Sequence, residues 1–486
     1  MTSVDVVIMA AGKGTRMKSR LPKVLHRLAG RALLDHVTAT VASLKPRSCV
    51  VITGHGAPEV EAEMHRWALD TPGIDMQFVR QEPQLGTGHA VQQAAPLLPC
   101  DGITLILNGD VPLIAADTLQ SLIGQCGGRH MALLTVDMPD PTGYGRIVRE
   151  APHADWDGDD LGGGPAADAG ARVLAIVEHK DASAAQRAIR EIYSGVMAVP
   201  TQLLKGWLAR LRNDNSQGEY YLTDIVKFAV ADGAEVLATC IADRLQVDGV
   251  NSPVQLAELE RGFQLRQAQA LMAQGVRLAD PARLDVRGTL ACGQDVDIDV
   301  NCIFEGRVQL GDGVQVGANC IIANATIAAG AVIHPFTHID GERAGVTVGE
   351  GALVGPFARL RPGAQLGAGV HIGNFVEVKN STLAAGAKAN HLAYLGDATV
   401  GERVNYGAGS ITANYDGANK HRTVIEADVH IGSNSVLVAP VTIGAGGTVG
   451  GGSTITRDTP PGALSVVRGK LISVANWARP AKKTGN

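Results

Sequence analysis

Large aromatic side chains are scarce in this chain. Phenylalanine, tyrosine and tryptophan make up 4% of its 486 residues, although 45% of the residues are hydrophobic and 59 are glycine. The hydrophobic cores must therefore be built from small and aliphatic side chains joined by many tight turns, a composition that favours a repeat fold in part of the chain. A chain of this length is too long to fold around a single hydrophobic core, so we expect two or more domains.

A strong net charge of either sign is missing as well. The formal charge is −5 at pH 7 and the pI is about 6.3, which argues against general binding to nucleic acid or to an anionic membrane. The N-terminus has no basic leader followed by an apolar segment, and no apolar run reaches the roughly 18 residues that a membrane-spanning helix requires. We expect a cytoplasmic protein that acts on small molecules through local basic sites.

The cysteines lack any pairing pattern. Seven is an odd number, and no two of the cysteines follow a C-x-x-C spacing. They are Cys49, Cys100, Cys126, Cys240, Cys292, Cys302 and Cys320. We interpret them as reduced thiols of the cytoplasm.

The N-terminal stretch is the first sign of a ligand site. Residues 4–9 form a near-continuous apolar run that predicts a strand buried on both faces, and this run gives way abruptly to Ala10, Ala11 and Gly12. Backbone amides that carry so little side chain can approach an anion closely. The stretch therefore predicts a loop that binds a negatively charged ligand.

Three cations follow in the same stretch, namely Lys13, Arg16 and Lys23. Backbone dipoles and cations together suit a polyphosphate, because phosphoryl transfer develops charge on the phosphate oxygens. A Rossmann loop would need a glycine where Met17 stands, and a Walker A loop would need Gly-Lys-Ser/Thr after four intervening residues. The stretch is therefore a different phosphate loop, or else an ordinary strand-to-helix turn with solvated cations.

Further strand-like runs alternate with helix-length segments, which predicts a parallel α/β sheet that binds ligands beyond the carboxyl ends of its strands. The runs are residues 49–53, 76–79, 103–107 and 131–136. The second run leads to Gln81 and to a small-residue turn at Gly86 and Thr87, whose amides suit a base or a ribose.

The third run ends at Asn108, Gly109 and Asp110, which places a carboxylate at the rim of the sheet. Mg²⁺ prefers oxygen ligands and commonly takes one or two carboxylates plus phosphates, so Asp110 is a metal candidate, and Asn251 supplies a second oxygen donor. An aspartate after glycine at a strand end is equally common as a turn former. Residues 151–170, rich in Asp, Gly and Ala, predict an exposed, mobile hairpin tip.

Residues 9–16 followed by Pro22 and Lys23 resemble the signature of sugar-phosphate nucleotidyltransferases. The segments 81–90, 108–110, 141–147, 177–180, 215–224 and 247–251, in this order, resemble the uridylyltransferase half of the bifunctional bacterial enzymes that make UDP-N-acetylglucosamine. This resemblance implies that Asp110 and Asn251 hold Mg²⁺, that Arg16 and Lys23 face phosphates in catalysis, that Gln81, Gly86 and Thr87 contact uracil, and that Gly145 and Glu178 bind the sugar. It implies nucleotide or sugar contacts also for Met9, Ala10, Ala11, Gly12, Asn108, Gly109 and Tyr193. Two positions depart from the family pattern, because Asn108 stands where a tyrosine is common and Tyr193 where an asparagine contacts the sugar.

The C-terminal half has a six-residue period, which marks a parallel β-helix of stacked coils. Aliphatic residues expected to fill its interior are Val348, Val354, Leu360, Leu366, Ile372, Val378, Ile431, Leu437, Ile443, Val449 and Ile455. Small residues such as Gly349 and Gly367 are expected to turn the corners. The rhythm breaks between Val378 and Val400 around His391, which can accept a proton from an amine that attacks a thioester. The non-periodic insert 414–420 predicts a protruding loop.

This half resembles the hexapeptide-repeat transferases, in which the β-helix is left-handed, the molecules are trimers and acyl-CoA binds between neighbouring subunits. The two breaks in the rhythm closely match the acetyltransferase half of the same bifunctional family. The match implies that His391 is the general base, that Arg361, Lys379, Tyr394 and Asn405 hold glucosamine 1-phosphate, and that Ala408, Asn414, Tyr415, Ser433, Gly451 and Arg468 line the acetyl-CoA site.

The resemblance implies an α/β nucleotidyltransferase domain with a Rossmann-like, mostly parallel sheet, joined by a long helix to a left-handed parallel β-helix of hexapeptide repeats. We expect a uridylyltransferase domain at 1–250, a linker helix at 251–275, and the acetyltransferase domain with its tail at 276–486. The expected enzyme is a homotrimer that uses Mg²⁺, UTP and acetyl-CoA. The alternatives are a sugar-1-phosphate nucleotidyltransferase whose β-helix only trimerises, and a structural or binding protein in which both sites are vestigial.

Overall fold

The computed structural model describes residues 2–71, 73–150 and 171–479, so the hairpin tip predicted at 151–170 lies outside the described residues. The chain divides into two compact units, Met1–Phe263 and Gln264–Asn486. No helix in the described ranges is long and apolar enough to cross a bilayer.

The N-terminal unit alternates strands and helices. Its strands are β1 (Val4–Met9), β2 (Arg27–Leu28), β3 (Arg31–Ala32), β4 (Ser48–Thr53), β5 (Met76–Arg80), β6 (Ile103–Asn108), β7 (Met131–Asp137), β8 (Arg146–Arg149), β9 (Val173–Val177), β10 (Glu191–Pro200) and β11 (Val236–Ile241). Its helices are α1 (Leu33–Ser43), α2 (Ala57–Asp70), α3 (Thr87–Ala94), α4 (Ala116–Cys126), α5 (Ala184–Arg187), α6 (Thr201–Leu208) and α7 (Ile225–Ala231), and α8 (Pro253–Ala273) begins in this unit. Short 3-10 helices cover Thr15–Met17, Lys23–Leu25, Ala95–Leu97, Leu222–Asp224, Arg244–Gln246 and, in the other unit, Pro281–Arg283.

The main sheet runs in the order β11-β7-β10-β6-β1-β4-β5. Strands β6, β1, β4 and β5 are mutually parallel, as are β11 and β7, whereas β10 is antiparallel to both β6 and β7. The central strand β1 is buried along its middle four residues because helices cover both faces, as its apolar run predicts. The sheet is therefore mostly parallel, and the carboxyl ends of β1, β4 and β6 lie side by side.

The C-terminal unit consists of short parallel strands. In chain order they are β12 (Arg277–Leu278), β13 (Leu284–Cys292), β14 (Asp297–Ile298), β15 (Cys302–Leu310), β16 (Gln315–Val316), β17 (Ile321–Ile327), β18 (Val332–Ile333), β19 (His338–Asp340), β20 (Val346–Val348), β21 (Leu353–Val354), β22 (Arg359–Leu360), β23 (Gln365–Leu366), β24 (His371–Asn374), β25 (Glu377–Lys379), β26 (Thr382–Leu383), β27 (Lys388–His391), β28 (Tyr394–Gly396), β29 (Ala398–Val400), β30 (Asn405–Tyr406), β31 (Ile411–Ala413), β32 (Thr423–Ile425), β33 (His430–Ile431), β34 (Val436–Val438), β35 (Val441–Ile443), β36 (Thr448–Val449), β37 (Thr454–Ile455) and β38 (Leu464–Ser465). Apart from β35, β37 and β38 at the end of the stack, each pairs with a strand one coil further along, which is the stack that the six-residue period predicts.

The periodic aliphatic residues form the core of this stack. All eleven of these aliphatic residues are buried in one continuous cluster. Equivalent side chains on adjacent coils are 18 residues apart at Asn301 and Asn319 but 17 apart at Asn374 and His391. The break predicted near His391 is thus a coil one residue shorter, and the stacking continues through it.

Two details of the coils refine the sequence expectations. Gly349 follows the last residue of β20 and precedes a turn, and a Cβ on it would overlap the backbone of Gly367 on the next coil, so the close approach of the coils also requires glycine here. The insert 414–420 does protrude as a tight loop, because Tyr415 pairs with Lys420 and the coil lengthens to 25 residues between Ser410 and Ser435.

Candidate active sites

The N-terminal unit has a cavity of about 360 Å³ where β1 and β6 end. It brings together most of the residues predicted for the uridylyl site. Its lining residues are Met9, Ala10, Ala11, Gly12, Lys23, Val24, Gln81, Gln84, Gly86, Thr87, Ala90, Asn108, Asp110 and Glu219. Sequence reasoning missed Gln84 and Glu219, although both lie within segments that carried the resemblance.

The glycine loop of this cavity is held by backbone bonds between neighbouring strand ends. The Ala10 amide donates to Ile52 O at 2.9 Å, and the Gly109 amide donates to Met9 O at 3.0 Å. A Cβ on Gly12 would meet nothing within 4 Å, so the space beside this residue is open to a ligand. Gly14 has φ +59° and Lys23 Cβ packs directly against it, which no other residue would tolerate well.

Lys23 bridges the two residues predicted to hold Mg²⁺. Its ammonium donates to Asp110 Oδ2 in a short ion pair and to Asn251 Oδ1 at 3.1 Å. The Lys23 and Asp110 side chains are only 16% and 17% exposed. Two oxygen donors from distant parts of the chain therefore converge on one point that already accommodates a cation, and this donor set fits Mg²⁺.

The turn predicted to contact uracil is fixed in place by the segment around Tyr220. Gln81 Nε2 donates to Gly86 O at 2.9 Å, and Thr87 Oγ1 accepts from the Leu222 amide at 3.1 Å. A Cβ on Gly86 would lie 2.7 Å from Tyr220 O, so the chain can turn here only with glycine. The turn at the start of α3 is thus held by contacts within the chain itself.

The residues predicted to bind the sugar lie together beside β10. Glu178 is largely buried, and burial raises the pKa of its carboxyl, while Thr223 Oγ1 donates to it at 2.9 Å. The Tyr193 amide donates to Gly145 O at 2.9 Å, and a Cβ on Gly145 would lie 3.5 Å from Glu178 Oε1. Thr223 was not among the predicted site residues.

The hydroxyl of Tyr193 is buried and has no hydrogen-bond partner within the described part of the chain. Burial raises the pKa of Tyr193 well above its ordinary value, and the nearby Glu178 adds to the shift. Gly195 lies two residues further along β10, and a Cβ there would overlap Nδ2 of Asn108 on the neighbouring strand β6, so the Asn108 amide occupies the space that this glycine leaves. The two positions that depart from the family pattern therefore lie on adjacent strands.

Arg16 differs from the other predicted residues of this site. It lies on the exposed 3-10 helix Thr15–Met17 and is not among the residues that line the cavity. The contacts described for the chain do not bring its guanidinium to Asp110 or Lys23.

The C-terminal unit carries a polar patch on the outward face of β22, β25 and β28. Arg361 Nη1 donates to Glu377 Oε1 at 2.8 Å, and this contact raises the pKa of Arg361. The pKa of Lys379 is lowered, chiefly by Lys420 on the insert and then by burial. Tyr394 pairs in register with Glu377. Arg361, Lys379, Tyr394 and Lys420 thus form a group with surplus positive charge, and Lys420 and Glu377 were not predicted.

His391 is exposed at a corner between two faces of the β-helix. Its Nδ1 lies 3.1 Å from Oδ1 of Asn374, which is its register partner on the preceding coil. Asn374 was not predicted, because nothing in its local sequence distinguishes it from a corner residue.

Four of the predicted acetyl-CoA residues continue as a column along the coils that follow. The Asn434 amide donates to Ala408 O at 2.7 Å, and the Gly452 amide donates to Ser433 O at 2.7 Å. Arg468 donates through a short bond to Gly451 O. Ala408, Ser433, Gly451 and Arg468 therefore line one ridge.

The remaining predicted residues of the acetyl site are Asn405, Asn414 and Tyr415. Asn414 is buried and donates to Asp397, while Tyr415 is 62% exposed on the insert. Asn405 faces outward beside Lys388. Within the described ranges, no hydrogen bond or ion pair joins Asn405, Asn414 or Tyr415 to the ridge.

The chain matches known families in both units. Residues 6–160 match the MobA-like NTP transferase domain, and residues 345–380 and 422–457 match the bacterial transferase hexapeptide (six repeats). These matches, with the strand topology, confirm the predicted fold class, including the left-handed β-helix.

Three curated relatives share almost its whole length. The Bifunctional protein GlmU of Polaromonas naphthalenivorans (strain CJ2) is 74% identical over 482 residues, which cover 99% of each chain. The protein of the same name from Albidiferax ferrireducens is 70% identical over 483 residues, covering 99% of this chain and 100% of the relative. That from Cupriavidus pinatubonensis is 54% identical over 480 residues, 99% of each chain. The chain belongs to the family of bifunctional GlmU proteins.

Proposed function

We propose that this chain makes UDP-N-acetylglucosamine at two separate sites: acetyl-CoA first acetylates glucosamine 1-phosphate, and the product then takes a uridylyl group from UTP. The observation that carries this proposal is that each unit has its own group of polar residues suited to one of the two reactions. One is the cavity that holds Lys23, Asp110 and Asn251, and the other is the face that holds His391 and Lys379.

At the C-terminal site the amine of glucosamine 1-phosphate attacks the thioester carbonyl of acetyl-CoA. A C–N bond forms, the C–S bond breaks, and the thiolate of CoA leaves. His391 accepts the amine proton on its free ring nitrogen. The cations Arg361 and Lys379, with the hydroxyl of Tyr394, supply charge and donors for the phosphate and hydroxyls of the sugar. The ridge from Ala408 to Arg468 accommodates acetyl-CoA.

At the N-terminal site the phosphate of N-acetylglucosamine 1-phosphate attacks the α-phosphorus of UTP, and pyrophosphate leaves. Asp110 and Asn251 would hold Mg²⁺, which when bound supplies positive charge beside the phosphates. Ala11 and Gly12 line the cavity, and their backbone amides donate to phosphate oxygens, while Lys23 adds a cation. The turn at Gln81, Gly86 and Thr87 receives the base. The sugar is bound by Glu178, Gly145 and Tyr193. Asn108 and Gly109, at the end of β6, lie beneath the nucleotide and the sugar.

We further propose a homotrimer, formed through the β-helix. Phe336, Phe357 and Phe375 stack at one corner with ring centroids 5.0 and 5.4 Å apart, and each is about half exposed. Leu392, next to His391, continues this column and is 62% exposed. Contiguous exposed apolar surface of this kind supports a subunit contact.

The cytoplasm suits this proposal. All seven cysteines are free thiols, which agrees with a reducing compartment. The co-substrates of the two proposed reactions are UTP and acetyl-CoA.

Two substitutions test the proposal against its alternatives. Asp110→Ala should abolish release of pyrophosphate from UTP and N-acetylglucosamine 1-phosphate but leave release of CoA thiol from acetyl-CoA and glucosamine 1-phosphate unchanged. His391→Ala should do the reverse. A wild-type protein that releases pyrophosphate but no thiol would show that the β-helix only assembles the enzyme. Loss of both reactions in either folded variant would contradict separate sites.

A further inference from the structure

We infer that Asn374 is a positioning residue for His391: its side-chain oxygen accepts a hydrogen bond from Nδ1 and thereby selects the imidazole tautomer whose Nε2 is free to act as base. The inference rests on the proposed acetyl transfer and concerns how that site is organised.

The contact is built into the coil geometry. Asn374 and His391 end β24 and β27, and they are register partners on adjacent parallel coils. The distance of 3.1 Å between Asn374 Oδ1 and His391 Nδ1 is that of a hydrogen bond. An amide oxygen has no proton to give, so Nδ1 must be the donor in this pair. The proton on Nδ1 leaves the lone pair on Nε2, which is the state that a general base requires.

The chain on either side keeps this geometry without the Asn374 side chain. The Leu392 amide donates to Asn374 O at 3.0 Å, and this backbone bond holds the two coil ends together. The flanking Ile372 and Ala389 are fully buried in the core. A change of the Asn374 side chain should therefore alter the orientation of the imidazole more than the fold.

Charged neighbours define what a pH measurement reports. His371 and Glu377 are titratable residues of the coil that carries Asn374, three residues before it and three after it, and Lys388 precedes His391 on β27. Burial lowers the pKa of His371 first, and the charges of His334, Lys388 and His391 lower it further. His371 and Lys388 are cationic when protonated. Asn374, which contacts the imidazole of His391, is neutral and does not titrate.

Two variants of the full-length enzyme separate positioning from a structural role. Asn374→Ala removes the acceptor, so kcat for acetyl transfer should fall about tenfold to a hundredfold while the KM for both substrates changes less than twofold. Asn374→Asp keeps an acceptor and adds a negative charge that favours the protonated imidazole. In Asn374→Asp, the acid limb of the plot of kcat against pH should then lie about one pH unit higher than in the wild type. At high pH, kcat of Asn374→Asp should return from the low value of Asn374→Ala towards that of the wild type.

Controls are available within the same chain. Uridylyl transfer by each preparation measures the active enzyme concentration, and sedimentation with acetyl-CoA binding reports whether the β-helix is intact. Gln365→Ala, an exposed outward position on β23, should change neither kcat nor the pH profile.

The inference is overturned if Asn374→Ala keeps wild-type kcat in a folded protein, if it raises KM alone, or if Asn374→Asp leaves the acid limb in place. Each of these results leaves the proposed function intact as long as His391→Ala abolishes acetyl transfer. If His391→Ala retains acetyl transfer, the proposed function of this unit fails instead.

Discussion

The bridging position of Lys23 leads to a prediction about the order of events in the uridylyl site. Its ammonium contacts Asp110 Oδ2 and Asn251 Oδ1, the two oxygens that would ligate Mg²⁺. A divalent cation that binds to the free enzyme must therefore displace a cation that is already hydrogen-bonded there. We expect Lys23→Met, which keeps most of the aliphatic stem, to bind Mn²⁺ more tightly than the wild type before any nucleotide is added.

The size of this effect follows from the contact that is lost. Hydrogen bonds to charged groups contribute about 1.5–3 kcal/mol, and each 1.4 kcal/mol is a factor of ten in affinity. Both side chains of the pair are less than one-fifth exposed, so solvent screening reduces the value little. The gain in Mn²⁺ affinity should thus be about tenfold to a hundredfold.

Titration of the metal with detection of free Mn²⁺ by electron paramagnetic resonance measures this affinity without any turnover. UTP should raise the Mn²⁺ affinity more in the wild type than in Lys23→Met, because the triphosphate draws the wild-type ammonium away from Asp110. Lys13→Met, an exposed cation on the same loop, is the matched control and should bind Mn²⁺ like the wild type. Equal or weaker Mn²⁺ binding by Lys23→Met in the absence of UTP would refute the displacement argument.

Two further predictions concern the β-helix and the thiols. Phe357 has φ +56°, and Asn319 and Asn434 hold similar left-handed conformations, so Phe357→Asn suits the backbone but removes the stacked ring. Sedimentation should show a lower trimer fraction and thiol release should fall with it, whereas a trimer of unchanged stability would argue against this column as the contact. In the native protein, a thiol reagent should modify exposed Cys100 and Cys240 first and leave Cys49, whose pKa burial raises to about 12, unmodified until denaturation. Early modification of Cys49 would contradict that burial.

Local patterns in the sequence are enough to predict the parts of the fold whose periodicity is regular. Burial repeats along a short stretch in the apolar run of β1 and in the six-residue spacing of Leu360, Leu366 and Ile372. Both elements could therefore be predicted without knowing which strands pair with them. The antiparallel insertion of β10 between β6 and β7 could not, because strand pairing between distant segments leaves no local signal.

The candidate sites show the same limit. Asp110 could be proposed from its position after a strand, but its contact with Lys23 spans 87 residues and that between Lys23 and Asn251 spans 228. The pairing of Thr223 with Glu178 and of Asn374 with His391 likewise depends on the folded chain. Residue type and strand position indicate which side chains are candidates, whereas tertiary structure decides which of them meet.

Tyr193 offers a prediction in which stability and function change in opposite directions. Its hydroxyl is buried without a hydrogen-bond partner in the described residues, and an unsatisfied buried polar group costs about 1–3 kcal/mol. Tyr193→Phe removes that cost, so the N-terminal unit should become more stable. Because the same hydroxyl is free to bind the sugar, this change should also raise the KM for N-acetylglucosamine 1-phosphate about tenfold and leave acetyl transfer unchanged.

Urea unfolding followed by tryptophan fluorescence measures the first effect. Trp207 is 2% exposed and belongs to the core cluster against which Tyr193 packs, so its emission reports on this region. Thr239→Val on β11 is a contrasting control, because it removes a hydroxyl that does have a partner, Gln125 Oε1 at 2.6 Å, and it should therefore lower stability. A Tyr193→Phe protein that is less stable than the wild type would show that the hydroxyl already has a partner in the free enzyme. Such a hydroxyl would not be free to form a hydrogen bond with the sugar. The presence of tyrosine at a position where the family has asparagine would then be explained by packing alone.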